Sequence, residues 1–296
     1  MKNIIGAILV FVGAVCFSAK AVMVKLSYQY EIDAITILTL RMLFSLPFYM
    51  VILFFNRKKL EETKSSLTRK DWVNVVIMGI VGYYLASIFD FIGLSYVTAG
   101  LERLILFIYP TLVVILSAVF LKKKIGKTEY IALGLTYLGV LVVFFDDAVV
   151  SQNNVWLGAA CIFASALTYA FYLIGTGQLT PKLGSVNYTA LSMIVSTIVV
   201  FIHYLIVGKI DALFANTDVL WLALNMAVFS TVIPSFLIAE GIRLMGSARA
   251  SIVASIGPVS TIVLAYYFLN EAFGLIQFAG TILVLIGVIT VSVKKN

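Results

Sequence analysis

The chain is dominated by apolar runs, each about as long as an α-helix that crosses a membrane. Ten such runs fall along the 296 residues, at 4–24, 34–55, 73–95, 99–121, 129–146, 155–176, 187–207, 219–241, 248–269 and 275–293. A helix needs about 20 mostly apolar residues to cross the hydrocarbon layer. With 62% hydrophobic and 12% charged residues, the chain carries more apolar surface than a soluble fold of this length buries. The sequence predicts an all-α integral membrane protein with ten transmembrane helices.

The first apolar run has two interpretations. Met1 and Lys2 followed by an apolar stretch are typical of a signal peptide. The run has no clean small-x-small cleavage site at its end, however, and it continues to Val24. We therefore expect it to be retained as the first transmembrane helix.

The basic residues predict how the chain lies in the membrane. If the N-terminus is cytoplasmic, most of the 21 Lys and Arg residues fall in cytoplasmic segments, and only Lys25 and Lys209 fall in external loops. The net charge of +7 is thus explained by orientation, and nucleic acid is not expected as a partner. We predict a multi-pass protein of the cytoplasmic (inner) membrane with both termini in the cytoplasm.

The two halves of the chain align with a shift of 148 positions. The proline and glycine positions that keep this register are Pro110 with Pro258, Gly93 with Gly241, Gly126 with Gly274, and Gly139 with Gly287. The predicted domains are residues 1–148 and 149–296, each with five spans. Because five is odd, the second half enters the membrane from the opposite side. Such an inverted repeat is typical of secondary transporters, which bind their solute near the midplane between the repeats.

The repeated blocks resemble the EamA family of the drug/metabolite transporter superfamily. The matching segments are Tyr109-Pro110-Thr111 and Gly257-Pro258-Val259, each followed by a polar loop and a glycine-bearing fifth helix. The family often ends the fourth helix with Gly-Glu. Asn270-Glu271 is close to that pattern, and Lys122-Lys123 departs from it. The resemblance implies a central cavity lined by the first, third, fourth, sixth, eighth and ninth helices, and a small-molecule substrate.

Ionisable side chains within the predicted spans are the first candidates for the solute site. Each costs about 2.5–3.5 kcal/mol at the centre of a membrane helix on insertion scales, so each needs a reason to be there. Asp90 lies in the third span, and Tyr83 and Ser87 precede it on the same helical face. We predict that Asp90 binds a substrate amine or carries a proton. The alternative is a polar residue satisfied by neighbouring helices.

Three further charges lie near the external ends of their spans. Glu102 either lines the cavity before Pro110 or caps its helix, since an acid suits the positive end of the helix dipole. Arg103 is interpreted as a capping residue. Lys20 either extends to the interface or pairs with Asp90 or Glu102.

Tyrosines and prolines complete the predicted site, although aromatic residues in spans also serve packing. The predicted substrate-binding residues are Asp90, Glu102, Lys20, Tyr83, Tyr109, Tyr169 and Tyr172. Pro110 and Pro258 each remove a backbone donor within a span, and we predict that both break the helix where it lines the cavity.

Other polar and small residues have structural interpretations. Glu240 and Arg243 are predicted to form a local ion pair, with a gate as the alternative. Arg41 lies in the second span, outside the cavity that the resemblance implies, and the single histidine, His203, is interpreted as interfacial. Small residues seven positions apart are predicted to give the fifth and tenth helices smooth faces for close contact. These are Ala132 with Gly139, and Gly280 with Gly287.

The sequence favours a transporter over an enzyme. It lacks the phosphate-binding G-x-x-x-x-G-K-[ST] motif of ATP-driven pumps, and no residue set has the spacing of a metal site. We expect no cofactor or metal, the lipid bilayer and a small molecule as partners, and a monomer or homodimer. The predicted function is alternating-access transport of an amino acid or similar metabolite, with export as the direction. Proton coupling through Asp90 or Glu102 and passive facilitation without ion coupling both fit the residues. The alternative is a non-transporting membrane partner or sensor subunit built on a transporter fold.

Overall fold

A computed structural model of the chain describes residues 2–64, 67–122, 126–150, 154–214, 216–245, 253–254 and 256–293. Over these ranges the regular structure is helical throughout, without a strand. The α-helices are α1 (Lys2–Tyr28), α2 (Ala34–Phe55), α3 (Arg57–Lys64), α4 (Arg69–Gly79), α5 (Ala86–Leu94), α6 (Ala99–Leu106), α7 (Tyr109–Leu121), α8 (Lys127–Val150), α9 (Val155–Leu183), α10 (Ser185–Val207), α11 (Thr217–Ala227), α12 (Ile233–Met245), α13 (Ile256–Leu269) and α14 (Leu275–Val293). A π-helical segment connects α4 to α5 (Ile80–Leu85), and another connects α11 to α12 (Val228–Val232). A 3-10 turn, Ile210–Leu213, lies between α10 and α11.

Seven helical stretches in the described part of the chain are long and apolar enough to cross a membrane. They are Ile4–Tyr28, Ala34–Phe55, Arg69–Leu94, Ala99–Phe120, Val155–Gly175, Ser185–Val207 and Thr217–Gly241. Three shorter apolar helices, Tyr130–Asp146, Ile256–Leu269 and Leu275–Gly287, lie at the remaining predicted spans. The prediction of an all-helical membrane protein is confirmed, and the count of ten spans stays a prediction.

The structure changes two details of the predicted organisation. The polar loop after the second span contains the helix α3, whose charged residues suit a solvated surface. Helix α9 continues beyond the predicted sixth span, 155–176, to Leu183 and ends at Gly184, where φ is +75°. Glycine adopts this left-handed conformation without steric penalty, so Gly184 is the residue that ends the helix.

Backbone irregularities recur at the shift of 148 positions that the sequence predicts. The π-helical segment Ile80–Leu85 interrupts the third span, and Val228–Val232 begins 148 residues later. Lys122 and Asn270, also 148 apart, both have left-handed backbones, with φ of 53° and 54°. Left-handed non-glycine residues and π-helices are both uncommon. Their recurrence in one register supports two copies of the same fold.

Close packing of small residues joins the ends of the two repeats. A Cβ atom added at Gly139 of α8 would lie 2.6 Å from the carbonyl oxygen of Gly280 in α14. One added at Gly287 would lie 2.7 Å from the carbonyl oxygen of Ala132. Only glycine permits such an approach of two helix backbones. The smooth faces predicted for the fifth and tenth helices thus pack against each other.

The first helix of one repeat packs on helices of the other. The Ser18 hydroxyl of α1 donates a hydrogen bond to the carbonyl oxygen of Gly257 in α13, at 3.0 Å. In return, the Thr261 hydroxyl donates to the carbonyl oxygen of Ser18 at 3.3 Å. Hydrogen bonds from small hydroxyls hold helices together in lipid, where no water competes for them. These hydrogen bonds hold the part of α1 that carries Lys20 against the second repeat.

Candidate functional site

A buried cluster of one cation and two acids lies where α1, α5 and α6 meet. The Lys20 ammonium group forms an ion pair with Asp90 and lies 3.5 Å from a carboxylate oxygen of Glu102. The three residues are 5%, 2% and 0% exposed. The structure thus selects pairing for Lys20 over extension to the interface.

Each acid of this cluster keeps one oxygen atom without a hydrogen-bond donor. Within the described residues, Oδ1 of Asp90 and Oε2 of Glu102 are buried and lack a partner. An unsatisfied acceptor in a dry site is costly, more so when it is charged. The two oxygens are therefore places where a proton or a ligand donor would be stabilising.

The helix ends determine the depth of the cluster. Asp90 is four residues from the end of α5 and Glu102 is in the first turn of α6, so both lie roughly 6 Å from the end of a span at a rise of 1.5 Å per residue. Thr98 caps α6 by accepting a hydrogen bond from the amide of Leu101, at 3.1 Å. Glu102 is therefore not the capping residue. The cluster lies nearer the predicted external face than the midplane.

Arg103 is buried beside this cluster and was interpreted from sequence only as a capping residue. Its guanidinium carbon lies 5.1 Å from the centre of the Phe17 ring, and the residue is 6% exposed. A Cβ atom added at Gly257 would lie 2.7 Å from Nη2 of Arg103, so the guanidinium packs on the backbone of the second repeat. No residue of the described chain accepts a hydrogen bond from Nε.

All four tyrosines of the predicted set belong to one aromatic cluster. The rings of Tyr109 and Tyr169 meet edge to face at 5.2 Å, and Tyr169 stacks on Tyr172 at 5.7 Å. The hydroxyl groups of Tyr83 and Tyr172 are 3.2 Å apart. Arg103 interacts electrostatically with Tyr109 and Tyr169, so it links the ionic and aromatic clusters.

The residues predicted to share a face with Asp90 have other partners. Tyr83 lies in the π-helical segment and contacts Tyr172, whereas the Ser87 hydroxyl accepts a hydrogen bond from Arg41 at 2.8 Å. A π-helical turn changes the angular register, so a spacing of seven no longer places two side chains on one face. Arg41 also stacks over the Phe91 ring at 4.9 Å, consistent with its structural interpretation.

The fourth span is interrupted next to Pro110. Helix α6 ends at Leu106 and α7 begins at Tyr109, with Phe107 and Ile108 between them. Pro110 occupies the start of α7, where its missing amide leaves no unsatisfied acceptor within the helix. Pro258 lies in the first turn of α13, and residues 246–252 and 255, which precede it, lie outside the described residues.

Glu271 joins the second repeat to the start of α6, at the end of the bundle that is predicted to be external. Its carboxylate accepts hydrogen bonds from the amides of Ala99, at 2.9 Å, and Gly100, at 3.3 Å. These amides begin α6, where the helix dipole favours a negative charge. The signal was present in the Asn270-Glu271 motif, but the partner helix lies in the other repeat and cannot be identified from spacing.

Two clefts meet at this contact. One is lined by Gly100, Ile262, Glu271 and Gln277, and the other by Lys25, Tyr28, Asp33 and Glu271. Glu271 borders both clefts, and the buried Lys20 cluster lies a turn further along α6 from the amides that it binds.

The remaining predictions concern His203 and the pair of Glu240 with Arg243. His203 lies 3.0 Å from the hydroxyl oxygen of Tyr84 through Nδ1, a contact between neighbouring spans. The side chain of Arg243 lies outside the described part of the structure, so its pairing with Glu240 stays a prediction. Metal ligands do not cluster among the described histidine, cysteine and acidic residues.

The sequence matches a family of membrane transporters along both repeats. Residues 4–145 and 156–293 each match the model of the EamA-like transporter family. The chain belongs to this family, as the resemblance of its repeated blocks predicts. It is therefore a multi-pass membrane protein of a transporter family.

The relatives carry general names. An uncharacterized transporter of Bacillus subtilis strain 168, YcbK, is 30% identical over 93% of this chain and 88% of its own length. An uncharacterized transporter of Archaeoglobus fulgidus is 24% identical over 92% of this chain and 93% of its own length. A crystal structure of a protein that is 12% identical superimposes with a TM-score of 0.68 over 96% of this chain and 95% of that one. This last likeness shows the fold alone.

Proposed function

We propose that this chain is a secondary transporter that carries a small organic metabolite, such as an amino acid, across the cytoplasmic membrane by alternating access. The observation that carries the proposal is the buried Lys20–Asp90–Glu102 cluster with its two unsatisfied carboxylate oxygens. Ionisable groups inside a membrane protein are expensive and mark solute and ion pathways. A membrane protein without a solute or ion pathway would gain nothing from these buried ionisable groups.

We infer that a proton is the coupling ion. With all three groups ionised the cluster has one more negative than positive charge, and burial makes that excess costly. One proton on Glu102 leaves the Lys20–Asp90 pair neutral. A solute amine that binds the same oxygens would replace this proton, so the two would compete, as coupled exchange requires.

Opening and closing would occur at the two ends of the bundle. On the predicted orientation, with both termini cytoplasmic, the Glu271 contact to α6 lies outside. Lys182 of α9 donates to Asp71 of α4 at 2.8 Å at the cytoplasmic end. Each contact joins residues 1–148 to residues 149–296. We propose that the two open in turn, and that export is the direction of net transport.

The competing proposal is a membrane partner or sensor that keeps a transporter fold without moving a solute. It predicts that the buried charges matter only for folding.

A comparison of small metabolites inside and outside cells distinguishes the two proposals. The cells express the wild type, Asp90→Asn, or Asp218→Asn, an exposed acid at the start of α11 that serves as the matched control. We expect one solute class to redistribute with the wild type and Asp218→Asn, and not with Asp90→Asn. The redistribution with the wild type and with Asp218→Asn should depend on pH, and any residual redistribution with Asp90→Asn should not. If no solute moves with the wild type, the partner or sensor function is supported instead.

A further inference from the structure

Arg103 is a buried cation that takes no part in the proposed proton exchange. Lys20 contacts both carboxylates of the cluster, whereas Arg103 forms no ion pair within 4.0 Å with any described acid. Its Nε is buried and has no acceptor in the part of the chain that the structure describes. An arginine stays charged in proteins, so this donor cannot be removed by titration.

Aromatic rings and the backbone of the second repeat surround Arg103. The Phe17 ring covers the guanidinium at 5.1 Å, and the backbone of Gly257 packs against Nη2. Tyr109 and Tyr169 lie on the side that leads to the aromatic cluster, and both interact with its charge. The guanidinium therefore lies between the two repeats, at the boundary of the ionic and aromatic clusters.

We propose that Arg103 binds a carboxylate of the transported solute. This inference rests on the proposed transport function and adds a substrate class to it. The planar guanidinium matches a carboxylate with two parallel hydrogen bonds, which is the geometry that a free Nε and a neighbouring Nη provide. The rest of the solute would lie along Tyr109, Tyr169 and Tyr172.

The charge balance favours a carboxylate over a phosphate. With a proton on Glu102, Lys20 and Asp90 form a neutral pair, and the charge of Arg103 is left uncompensated. A solute with one carboxylate and one ammonium group that replaces this proton brings the four side chains and the solute together to neutrality. The ammonium group would reach the unsatisfied oxygens of Asp90 and Glu102, while a phosphate would add up to two uncompensated charges to a dry site.

The test uses three variants of the whole chain in the metabolite comparison. Arg103→Gln removes the charge, and Arg103→Lys keeps the charge without the planar fork. Arg69→Gln, at an exposed position at the start of α4, is the matched control. The amount of each variant in the membrane and its elution from a sizing column in detergent identify any variant that fails to fold.

We expect the solutes that move with the wild type to carry a carboxylate. Arg103→Gln should raise the KM for such a solute about 10- to 100-fold, the effect of losing a charged hydrogen-bond pair. The KM of Arg103→Lys should lie between those of the wild type and Arg103→Gln. For the amide of the same solute, which lacks the carboxylate, the KM values of the wild type and Arg103→Gln should differ by less than about threefold.

Three results would overturn the inference while leaving transport intact. They are solutes without an acidic group, solutes whose only acid is a phosphate, and an unchanged KM for the carboxylate in a well-folded Arg103→Gln. Failure of the wild type to move any solute would instead overturn the proposed transport function, and the inference with it.

Discussion

At the scale of single residues, the Lys20 cluster is held by mutual compensation. Lys20→Met leaves Asp90 and Glu102 buried without their shared cation, and we expect it to lower stability by about 3–5 kcal/mol, the usual cost of removing one partner of a buried ion pair. Lys20→Met combined with Asp90→Asn should recover part of this loss, because it leaves one acid that a proton can neutralise. Thermal unfolding in detergent measures both variants.

An exposed lysine gives this comparison its control. Lys209→Met, which changes the same residue type at an exposed position, should leave the unfolding midpoint unchanged. If Lys20→Met alone unfolds like the wild type, or if the double variant is no more stable than the single one, the cluster is not held by charge compensation.

The sequence identifies the buried charged residues, but it does not show that Lys20, Asp90 and Glu102 form one cluster while Arg103 stands apart from it. Asp90, Glu102 and Lys20 could be named because an ionisable group within an apolar run is conspicuous. The sequence predicts Arg103 as a helix cap, because its position near the start of the span says nothing about what lies across the interface. Its contacts with Phe17 and with Gly257 of the second repeat depend on tertiary packing, which no local spacing contains.

At the scale of helices, the glycine positions of α8 and α14 determine how closely the two pack. In Gly287→Ala a methyl group would meet the carbonyl oxygen of Ala132 at 2.7 Å, and backbone atoms cannot move aside. Overpacking of this kind costs about 1–3 kcal/mol. Gly134→Ala is the matched control, because nothing lies within 4 Å of its added Cβ atom.

We expect opposite signs for the two alanine variants. Gly134→Ala should raise the thermal unfolding midpoint slightly, since alanine favours helix by about 1 kcal/mol over glycine, and Gly287→Ala should lower it. Equal shifts in the two variants would show that helix propensity, and not the α8–α14 contact, governs these positions.

Apolar periodicity and length locate the spans, yet they do not reveal their irregularities. The break at Phe107–Ile108 was expected from Pro110, a residue with a defined effect on helices. The π-helical segments were not expected, because an extra residue in a helical turn changes hydrogen bonding without changing composition.

At the scale of the whole molecule, the two end contacts are unequal, and this asymmetry has a measurable consequence. Glu271 accepts two backbone hydrogen bonds at a helix N-terminus, while Lys182, with its side chain 46% exposed, pairs with Asp71 in a setting that water screens. The Glu271 contact, which lies outside on the predicted orientation, should therefore be the stronger of the two. We expect the conformation that is closed outside to predominate in the wild type.

Glu271→Ala should shift this balance toward the conformation that is open outside. Losing the charged acceptor of two amides at a helix start should change the population ratio about five- to thirtyfold. The readout is labelling of Tyr109→Cys by a membrane-impermeant maleimide added to intact cells, with Cys16 and Cys161 replaced by serine. Lys182→Ala is the comparison, because loss of the weaker cytoplasmic contact should not increase labelling from outside. Equal labelling of both variants would mean that Glu271 caps α6 without holding the external end closed, since a gate must bias one side of the membrane over the other.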